Sequence, residues 1–446
     1  MSKSSILYSQ RVWINNKLQA ASLVISAGKI SEITIGEKLS NAHDYGDAVI
    51  MPGVMDAHAH INEPGRTEWE GFETATQAAA AGGTTTVVDM PLNSSPVTIS
   101  LSAFEDKLAA SKDKMHVNCG FYAGLVPQNA ASPELEKLID AGVLGVKAFL
   151  VHSGIDEFPN VSKEDIEQAM PLLAKLQIPF LAHCELEYPQ DNSAFEQAPT
   201  NYQLYLQSRP QKWEMDAIDQ MIEICETHNS PVHIVHLSAA AGLESIAHAK
   251  SKKIPLTVET CPHYIFFDAE SIPDGQTIYK CAPPIREKEN NARLKLALKE
   301  GLIDFISTDH SPAPPNIKEL DSGNYLKAWG GIAGIQFLLN AAWTSLKNDV
   351  SLHDFIPLLT SNVAQFLGVD NRKGKIAEGM DADLVIWQPE QHFVVRQKQL
   401  LFKHKISPYL NQTLFGKVEQ TFVNGILVFD QGKIIQKNKG QWLLRK

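Results

Sequence analysis

The stretch VIMPGVMDAHAH, residues 49–60, decides the fold, because seven similar apolar runs follow it along the chain. The seven runs are TTTVVDM (84–90), VNCGFYAGL (117–125), GVLGVKAFL (142–150), PFLAHCE (179–185), PVHIVHLS (231–238), LTVETCPHY (256–264) and DFISTDHS (304–311). Helix-like stretches lie between them, at 69–81, 101–112, 133–141, 163–176, 217–226, 242–251 and 292–300. Such alternation indicates a parallel sheet, and eight strand–helix units predict a closed (β/α)8 TIM barrel.

The competing architecture is a doubly wound open sheet, but no GxGxxG motif follows the first strand. Both ends of the chain differ from this middle, because they consist of short Val- and Ile-rich runs with turn signals at Asn15-Asn16 and Asn424-Gly425. We therefore predict that residues 1–51 and 369–446 form one small β-sandwich domain. The catalytic barrel is predicted over residues 52–368.

Composition limits the partners of this 446-residue chain, whose net charge is −11. This acidity argues against nucleic acids and anionic membranes as partners. The five Cys are scattered and contain no CxxC pair, so they predict neither a disulfide framework nor a zinc finger. We find no secretory leader and no apolar run of about 18 residues, so no membrane span is expected. The cytoplasm is the expected compartment.

Side chains that bind metals stand at the predicted carboxyl ends of five strands, where barrel enzymes place their catalytic groups. They are His58, His60, Lys147, His183, His236 and Asp309. Residues i and i+2 of a strand share a face, so His58 and His60 can bind one ion. Each residue has a simpler reading: a buried histidine that binds nothing, or an Asp309-His310 pair that caps a helix. Their co-location favours a metal site, in which His233 is an alternative to His236.

Lys147 is the unusual member of this set, because an ammonium group cannot bind a cation. An amine that captures CO2 becomes a carbamate, which is a carboxylate on a long stem and can bridge two cations. A lysine in a barrel strand can also form a Schiff base or pair with an acid, and these alternatives stay open. Carboxylation of Lys147 is therefore a hypothesis at this point.

Several of these motifs resemble those of the cyclic amidohydrolases, a group within the amidohydrolase superfamily that includes dihydroorotases, hydantoinases and allantoinases. The motifs are PGVMDAHAH (52–60), GVKAF (145–149), LAHCE (181–185), HIVHLS (233–238), TCPHY (260–264) and STDHSP (307–312). GKIAEGMDADLVIW, residues 374–387, resembles the return of the chain into the small β domain. The resemblance covers nearly the whole chain.

The resemblance implies two divalent metal ions, with zinc expected and iron, cobalt or manganese as alternatives. The more buried ion is expected at His58, His60 and Asp309, and the other ion at His183 and His236. Asp309 is also expected to be the general base. The carboxylated lysine of the preceding hypothesis is expected to bridge the two ions.

Within the group, residues 61–76, 89–94, 147–161 and 329–336 resemble the allantoinases. Dihydroorotases carry an arginine two residues after the His-x-His pair, and here a neutral residue stands in that place. Hydantoinases carry a tyrosine five residues after the lysine, and here that residue is a histidine. The substrate contacts expected from these comparisons and from polarity are Asn62, Arg66, Asn93, His152 and His263. A structural salt bridge is the alternative role of Arg66.

The implied activity is metal-dependent hydrolysis of the cyclic amide of allantoin, a small molecule, to allantoate. Hydantoins, dihydropyrimidines and dihydroorotate are the alternative rings. A non-catalytic scaffold related to dihydropyrimidinase is less favoured, because such relatives lose metal ligands and this chain keeps all six positions. Relatives are commonly dimers or tetramers, so a homo-oligomer is expected.

Overall fold

The structure, a computed structural model, describes residues 5–445. In this range the strands are β1 (Ser5–Ile14), β2 (Lys17–Ser26), β3 (Lys29–Ile35), β4 (His43–Asp44), β5 (Val49–Pro52), β6 (Val54–Ala59), β7 (Thr84–Asp89), β8 (Asn118–Phe121), β9 (Ala123–Gly124), β10 (Val146–Phe149), β11 (Phe180–His183), β12 (Val232–Ile234), β13 (Leu256–Thr260), β14 (Phe305–Ile306), β15 (Leu384–Val394), β16 (Thr413–Val423), β17 (Ile426–Asp430) and β18 (Lys433–Ile434). The α-helices are α1 (Phe72–Ala81), α2 (Leu101–Ser111), α3 (Glu134–Asp140), α4 (Lys163–Leu176), α5 (Ser193–Gln197), α6 (Tyr202–Gln207), α7 (Gln211–His228), α8 (Leu243–Ser251), α9 (Pro262–Phe266), α10 (Lys288–Lys299), α11 (Leu338–Leu346), α12 (Leu352–Phe355) and α13 (Ser361–Phe366).

Strands β6 to β14 form the barrel, and every pairing among them is parallel. β6, β7 and β8 pair in that order, and β9 to β14 pair in chain order. Only Tyr122 separates β8 from β9, so the two form one interrupted barrel strand. With this pair counted once, each of the eight barrel strands is called a stave. A parallel bridge between Ala59 and His310 joins the first stave to the last. The predicted (β/α)8 barrel is therefore confirmed, with eight staves at the eight predicted runs.

The helices between the staves follow the predicted stretches closely where amphipathic periodicity is strong. Helix α4 begins at Ser162, whose side chain and that of Asp165 form a reciprocal capping box. Its buried face repeats every three to four residues, with Ile166, Met170 and Leu173 among its members. This helix spans the predicted residues 163–176.

The two ends of the chain share one nine-stranded sheet with the order β18-β17-β16-β15-β5-β1-β2-β3, and β4 pairs with β1. β15 runs antiparallel to β5, which places the C-terminal strands beside the N-terminal ones. The predicted turns occur at Asn15-Asn16 and Asn424-Gly425, where all four residues have positive φ. The prediction that both ends build one small β domain is confirmed.

The last described residues leave this sheet and run along the barrel. Cys119 in β8 donates its backbone N–H to the carbonyl of Gln441 and accepts a hydrogen bond from the N–H of Leu443. All five cysteines are free and buried, in agreement with the expectation that the chain has no disulfide framework. No helix within residues 5–445 is long and apolar enough to cross a membrane.

Candidate metal centre

The carboxyl ends of the staves bring five predicted ligands to one cavity of about 360 Å³. His58 lies in β6, and His60 follows the same strand. His183 is the last residue of β11, while His236 and Asp309 lie just beyond β12 and β14. Residues far apart in sequence therefore meet because a parallel barrel gathers all its carboxyl ends at one face.

Two of these residues leave their strands through a backbone conformation that is rare outside glycine. The φ angle is 39° at His236 and 45° at Asp309. A left-handed residue with a side chain costs about 1–2 kcal/mol, and such strain clusters at functional sites. The turn at each position follows directly on the strand and brings its side chain to the cavity.

Three donor atoms converge tightly at the end of β6. The Nε2 atoms of His58 and His60 lie 3.2 and 3.3 Å from Oδ1 of Asp309. One ligand atom from each of the three side chains lies within 4.8 Å of the others, and all three side chains are buried. Two imidazole nitrogens and one carboxylate oxygen form a donor set that suits zinc and neighbouring transition metals.

The charges around His58 favour a positive charge at this place. Burial by itself lowers the pKa of His58, yet the carboxylates of Asp309 and Glu259 raise it to about 9. Burial by itself raises the pKa of Asp309, but His58 and His60 hold that pKa well below its ordinary value. A cation held by His58 and Asp309 would replace the proton on Nε2 of His58, while Nδ1 keeps its contact with Glu259.

The second group of predicted ligands has unsatisfied donor atoms. The rings of His183 and His236 lie 4.6 Å apart, and burial lowers the pKa of both, which keeps the imidazoles neutral and able to bind a metal. Nδ1 of His236 and Nζ of Lys147 are buried without a hydrogen-bond partner among the described residues. Burial also lowers the pKa of Lys147 to about 7. Both side chains therefore have bonding capacity that no described residue uses.

Carboxylates behind the histidines were not anticipated from the sequence. Oε1 of Glu259 lies 2.5 Å from Nδ1 of His58, and Oε2 of Glu185 lies 2.7 Å from Nε2 of His183. Both glutamates are fully buried. Such partners fix the ring orientation and the tautomer of a metal-binding histidine. A signal for Glu259 was present, because it is an acidic residue inside an otherwise apolar run.

His233, the alternative to His236, is engaged elsewhere in the barrel. Its Nδ1 lies 2.8 Å from the hydroxyl of Thr257, and its ring stacks on Phe305 with 5.1 Å between centroids. His233 does not line the cavity, whereas His236 does. The geometry therefore favours His236 over His233 as a metal ligand.

Comparison with known proteins identifies the family of this chain. The sequence model described as "Amidohydrolase family" matches residues 49–428. This chain belongs to the amidohydrolase family. Members of the family depend on metal ions, and the buried group of His58, His60 and Asp309 gives this amidohydrolase a fitting site.

Curated relatives extend over nearly all of this amidohydrolase. It is 43% identical to a probable allantoinase of Oryza sativa subsp. japonica, over 98% of this chain and 90% of the relative. It is 46% identical to an allantoinase of Arabidopsis thaliana, over 87% of this chain and 79% of the relative. The resemblance inferred from the motifs is confirmed at the level of the family.

A solved structure agrees with this assignment. The L-hydantoinase of Arthrobacter aurescens superposes on this amidohydrolase with a TM-score of 0.91 and 27% sequence identity, and the match covers 99% of each chain. A similarity that extends over both chains includes the barrel and the small β domain together.

The predicted substrate contacts of this amidohydrolase fall into two sets. Asn93 and His152 line the cavity, where Oδ1 of Asn93 has no partner within residues 5–445 and His152 is exposed at the mouth. Asn62, Arg66 and His263 lie outside the lining. Asn62 donates to the carbonyl of Pro312, and burial lowers the pKa of His263 to about 4.

Arg66 is engaged by neighbouring groups rather than directed into the cavity. Its Nη1 donates to the backbone carbonyl of Asn93 over 2.9 Å, and its Nη2 pairs with Glu157 at the same distance. Through the first contact Arg66 holds the segment that carries Asn93. This geometry corresponds to the structural alternative that the sequence left open for Arg66.

Proposed function

We propose that this amidohydrolase opens the ring of allantoin by hydrolysing a cyclic amide, and that the product is allantoate. The observation that carries the proposal is the 43% and 46% identity to proteins named as allantoinases, joined to the ligand-rich cavity of the barrel. Allantoin is a hydantoin ring with a ureido arm. It is neutral, and Asn62 in place of the arginine of dihydroorotases agrees with a neutral ring.

His58, His60 and Asp309 would hold one cation, and His183 and His236 the other. Divalent cations held by these residues would supply a hydroxide nucleophile near neutral pH and would polarise the scissile carbonyl. Zinc is the proposed metal, and iron, cobalt or manganese suit the same donors. The Nδ1 atom of His236 supports this assignment, since it has no partner among the described residues and buried polar atoms are rarely left unpaired.

Lys147 is proposed to carry a carboxyl group on Nζ and to bridge the two cations. A pKa of about 7 leaves a large part of this amine neutral at physiological pH, and a neutral amine is the form that reacts with CO2. The buried Nζ has no hydrogen-bond partner among residues 5–445. Addition of CO2 to the neutral amine releases one proton and places two carboxylate oxygens at this position, where they can bind a cation. The carbamate carries a negative charge that offsets the cations.

Asp309 is proposed to move the proton. Its Oδ1 is held by His58 and His60, which leaves Oδ2 to accept a proton from the attacking water. The carboxylate then passes that proton to the departing ring nitrogen, as general acid–base catalysis requires. Its lowered pKa keeps the carboxylate ionised at neutral pH, which is the form that a general base requires.

The test is ring opening of allantoin beside hydantoin, dihydrouracil and dihydroorotate. The protein is loaded with zinc in the presence of bicarbonate, and controls are treated with a chelator or loaded without CO2. We expect metal-dependent turnover of allantoin that increases with bicarbonate. Turnover of another ring alone would change the assigned substrate and leave the proposed mechanism unchanged. Two bound metals with no turnover of any ring would refute the substrate class.

Three further properties stay predictions. We propose a homo-oligomer, a dimer or a tetramer, in the cytoplasm. We also propose that residues 52–368 form the catalytic domain and that residues 1–51 and 369–446 form the other. Sedimentation of the purified protein tests the first of these.

A further inference from the structure

The cavity has a second wall, built from loops after β11, β13 and β14. It contains Tyr205, Arg209, Lys280, Ala328 and Trp329. Three cationic side chains line the cavity here: Lys327 is exposed, whereas Arg209 and Lys280 are partly buried. Their different surroundings indicate different tasks.

Arg209 is neutralised within the protein. Its Nε donates to Oε1 of Glu185 over 3.0 Å, and its Nη2 bonds to the other oxygen of the same carboxylate. Glu185 in turn holds His183, so Arg209 acts on the metal centre through that pair. Its charge is already matched by the buried carboxylate.

Lys280 has no such counter-ion. Among residues 5–445, no carboxylate oxygen lies within 4.0 Å of its Nζ, and the carbonyl of Ala328, 2.6 Å away, is its acceptor. Its Nζ also lies 5.4 Å from the centre of the Tyr205 ring. An ammonium group has three N–H donors, so two remain for a ligand. Burial and the nearby charge of Arg209 lower the pKa of Lys280 to about 8, as expected for an ammonium without a counter-ion.

A second lysine fixes Lys280 in place. Nζ of Lys318 is fully buried and donates to the backbone carbonyls of Lys280, Trp329 and Gly331 over 2.8–3.0 Å. The two lysines thus tie the chain at residue 280 to the loop at 328–331 from both sides. A side chain held in this way is preorganised for a contact, which reduces the entropy lost on binding.

The cavity therefore has two chemically distinct parts. Metal ligands and Asp309 suit the ring amide that is cleaved, while Lys280 bonds to none of the predicted ligands. Besides the scissile carbonyl, the proposed substrate offers two carbonyl acceptors. One is the second ring carbonyl, which hydantoin shares, and the other is the carbonyl of the ureido arm, which hydantoin and dihydrouracil lack. On the basis of the proposed function, we propose that Lys280 determines specificity by donating a hydrogen bond to the ureido carbonyl oxygen of allantoin.

The experiment compares Lys280→Met with Lys327→Met in the metal-loaded enzyme. Lys327 is an exposed lysine in the lining of the same cavity, so its variant makes the same change of charge at the rim. Two quantities are measured: KM for allantoin, and the inhibition constant of hydantoin as a competitor. For Lys280→Met we expect KM for allantoin to rise ~10- to 100-fold, the usual loss for one hydrogen bond to a charged group. The inhibition constant of hydantoin and the metal content should stay unchanged.

Lys280→Arg keeps a cationic donor and should recover part of the affinity. Lys327→Met measures the effect of losing one charge at the rim, and any such effect should be equal for allantoin and hydantoin. Equal losses for allantoin and hydantoin would mean that Lys280 only supports the cavity wall, and this would overturn the proposal. An unchanged KM for allantoin in Lys280→Met would also overturn it. If the unaltered enzyme fails to open allantoin, the proposed function itself fails, which is a separate outcome.

Discussion

The barrel mouth and the junction between the small β domain and the barrel differ in how their buried polar groups are paired. At the mouth, His60, Lys147 and His236 each keep a buried polar atom without a partner among the described residues. Where the small β domain meets the barrel, Asp383 accepts hydrogen bonds from Lys373, Asn118 and Asn424. The first arrangement leaves bonding capacity for a ligand, and the second uses it to hold two parts of the protein together.

The contrast teaches where function is located in this fold. An unpaired buried polar group costs about 1–3 kcal/mol, so a protein keeps several of them together only where something else satisfies them. A saturated cluster contributes stability and offers nothing to a substrate. Substitutions at the mouth should therefore affect activity more than stability, and substitutions at the junction should do the reverse.

The largest expected effect is that of Asp309→Asn at the mouth. The amide keeps the shape of the side chain but cannot accept the proton at Oδ2, so kcat should fall ~10²- to 10⁴-fold. Metal content and unfolding temperature should change far less. Steady-state kinetics with metal analysis and thermal unfolding give the three readouts. A nearly normal kcat would show that Asp309 does not transfer the proton, and it would weaken the contrast between mouth and junction.

Glu259→Gln tests whether the carboxylate that contacts Nδ1 of His58 contributes to metal binding. The amide no longer matches the charge near His58, so metal affinity should fall ~10- to 100-fold. Competition with a chelator measures this affinity. Unchanged affinity would mean that Glu259 only fills the barrel interior.

The matched control for this change is Glu214→Gln. Glu214 is also a buried glutamate, but it bonds to the backbone N–H groups of Ser238 and Ala239 and pairs with Arg286. Its amide variant should lower stability and leave metal affinity unchanged. A similar loss of affinity in both variants would show a general effect of disturbing the barrel.

Much of the fold was predictable because it depends on local pattern. Alternating apolar runs and amphipathic stretches predicted the eight staves, and Asn424-Gly425 predicted a hairpin from the φ requirement of its turn. Helix α9 was missed, since its first three residues lie within the run 256–264 that was interpreted as a strand. The short helices α5 and α6 were also missed, because an isolated helix of five or six residues has no clear period.

The site was predictable only in part, for a different physical reason. The metal-binding side chains were predicted from the strand ends, because catalytic groups of a barrel lie at the carboxyl ends of its strands. Glu259 was missed because its partner His58 lies 201 residues away in sequence, and only barrel closure brings the two together. Lys280 belongs to a loop whose position depends on Lys318 and on the segment near Ala328. No local pattern encodes such contacts.

The smallest expected effect lies at the junction, in Asp381→Asn. Burial by itself raises the pKa of Asp381, but Lys373, Lys29 and Arg372 outweigh it, so the pKa lies below its ordinary value. A lowered carboxyl pKa stabilises the folded state above the unfolded pKa of about 4, and this contribution is lost as the pH falls through the folded pKa. At pH 7 the variant should lose about 1 kcal/mol of unfolding free energy, as expected for one ion-pair network. Denaturant unfolding at pH 7 and near pH 3 should show the difference between variant and unaltered protein shrinking in acid, while kcat at pH 7 stays the same. A fall in kcat with unchanged stability would contradict the division between a functional mouth and a structural junction.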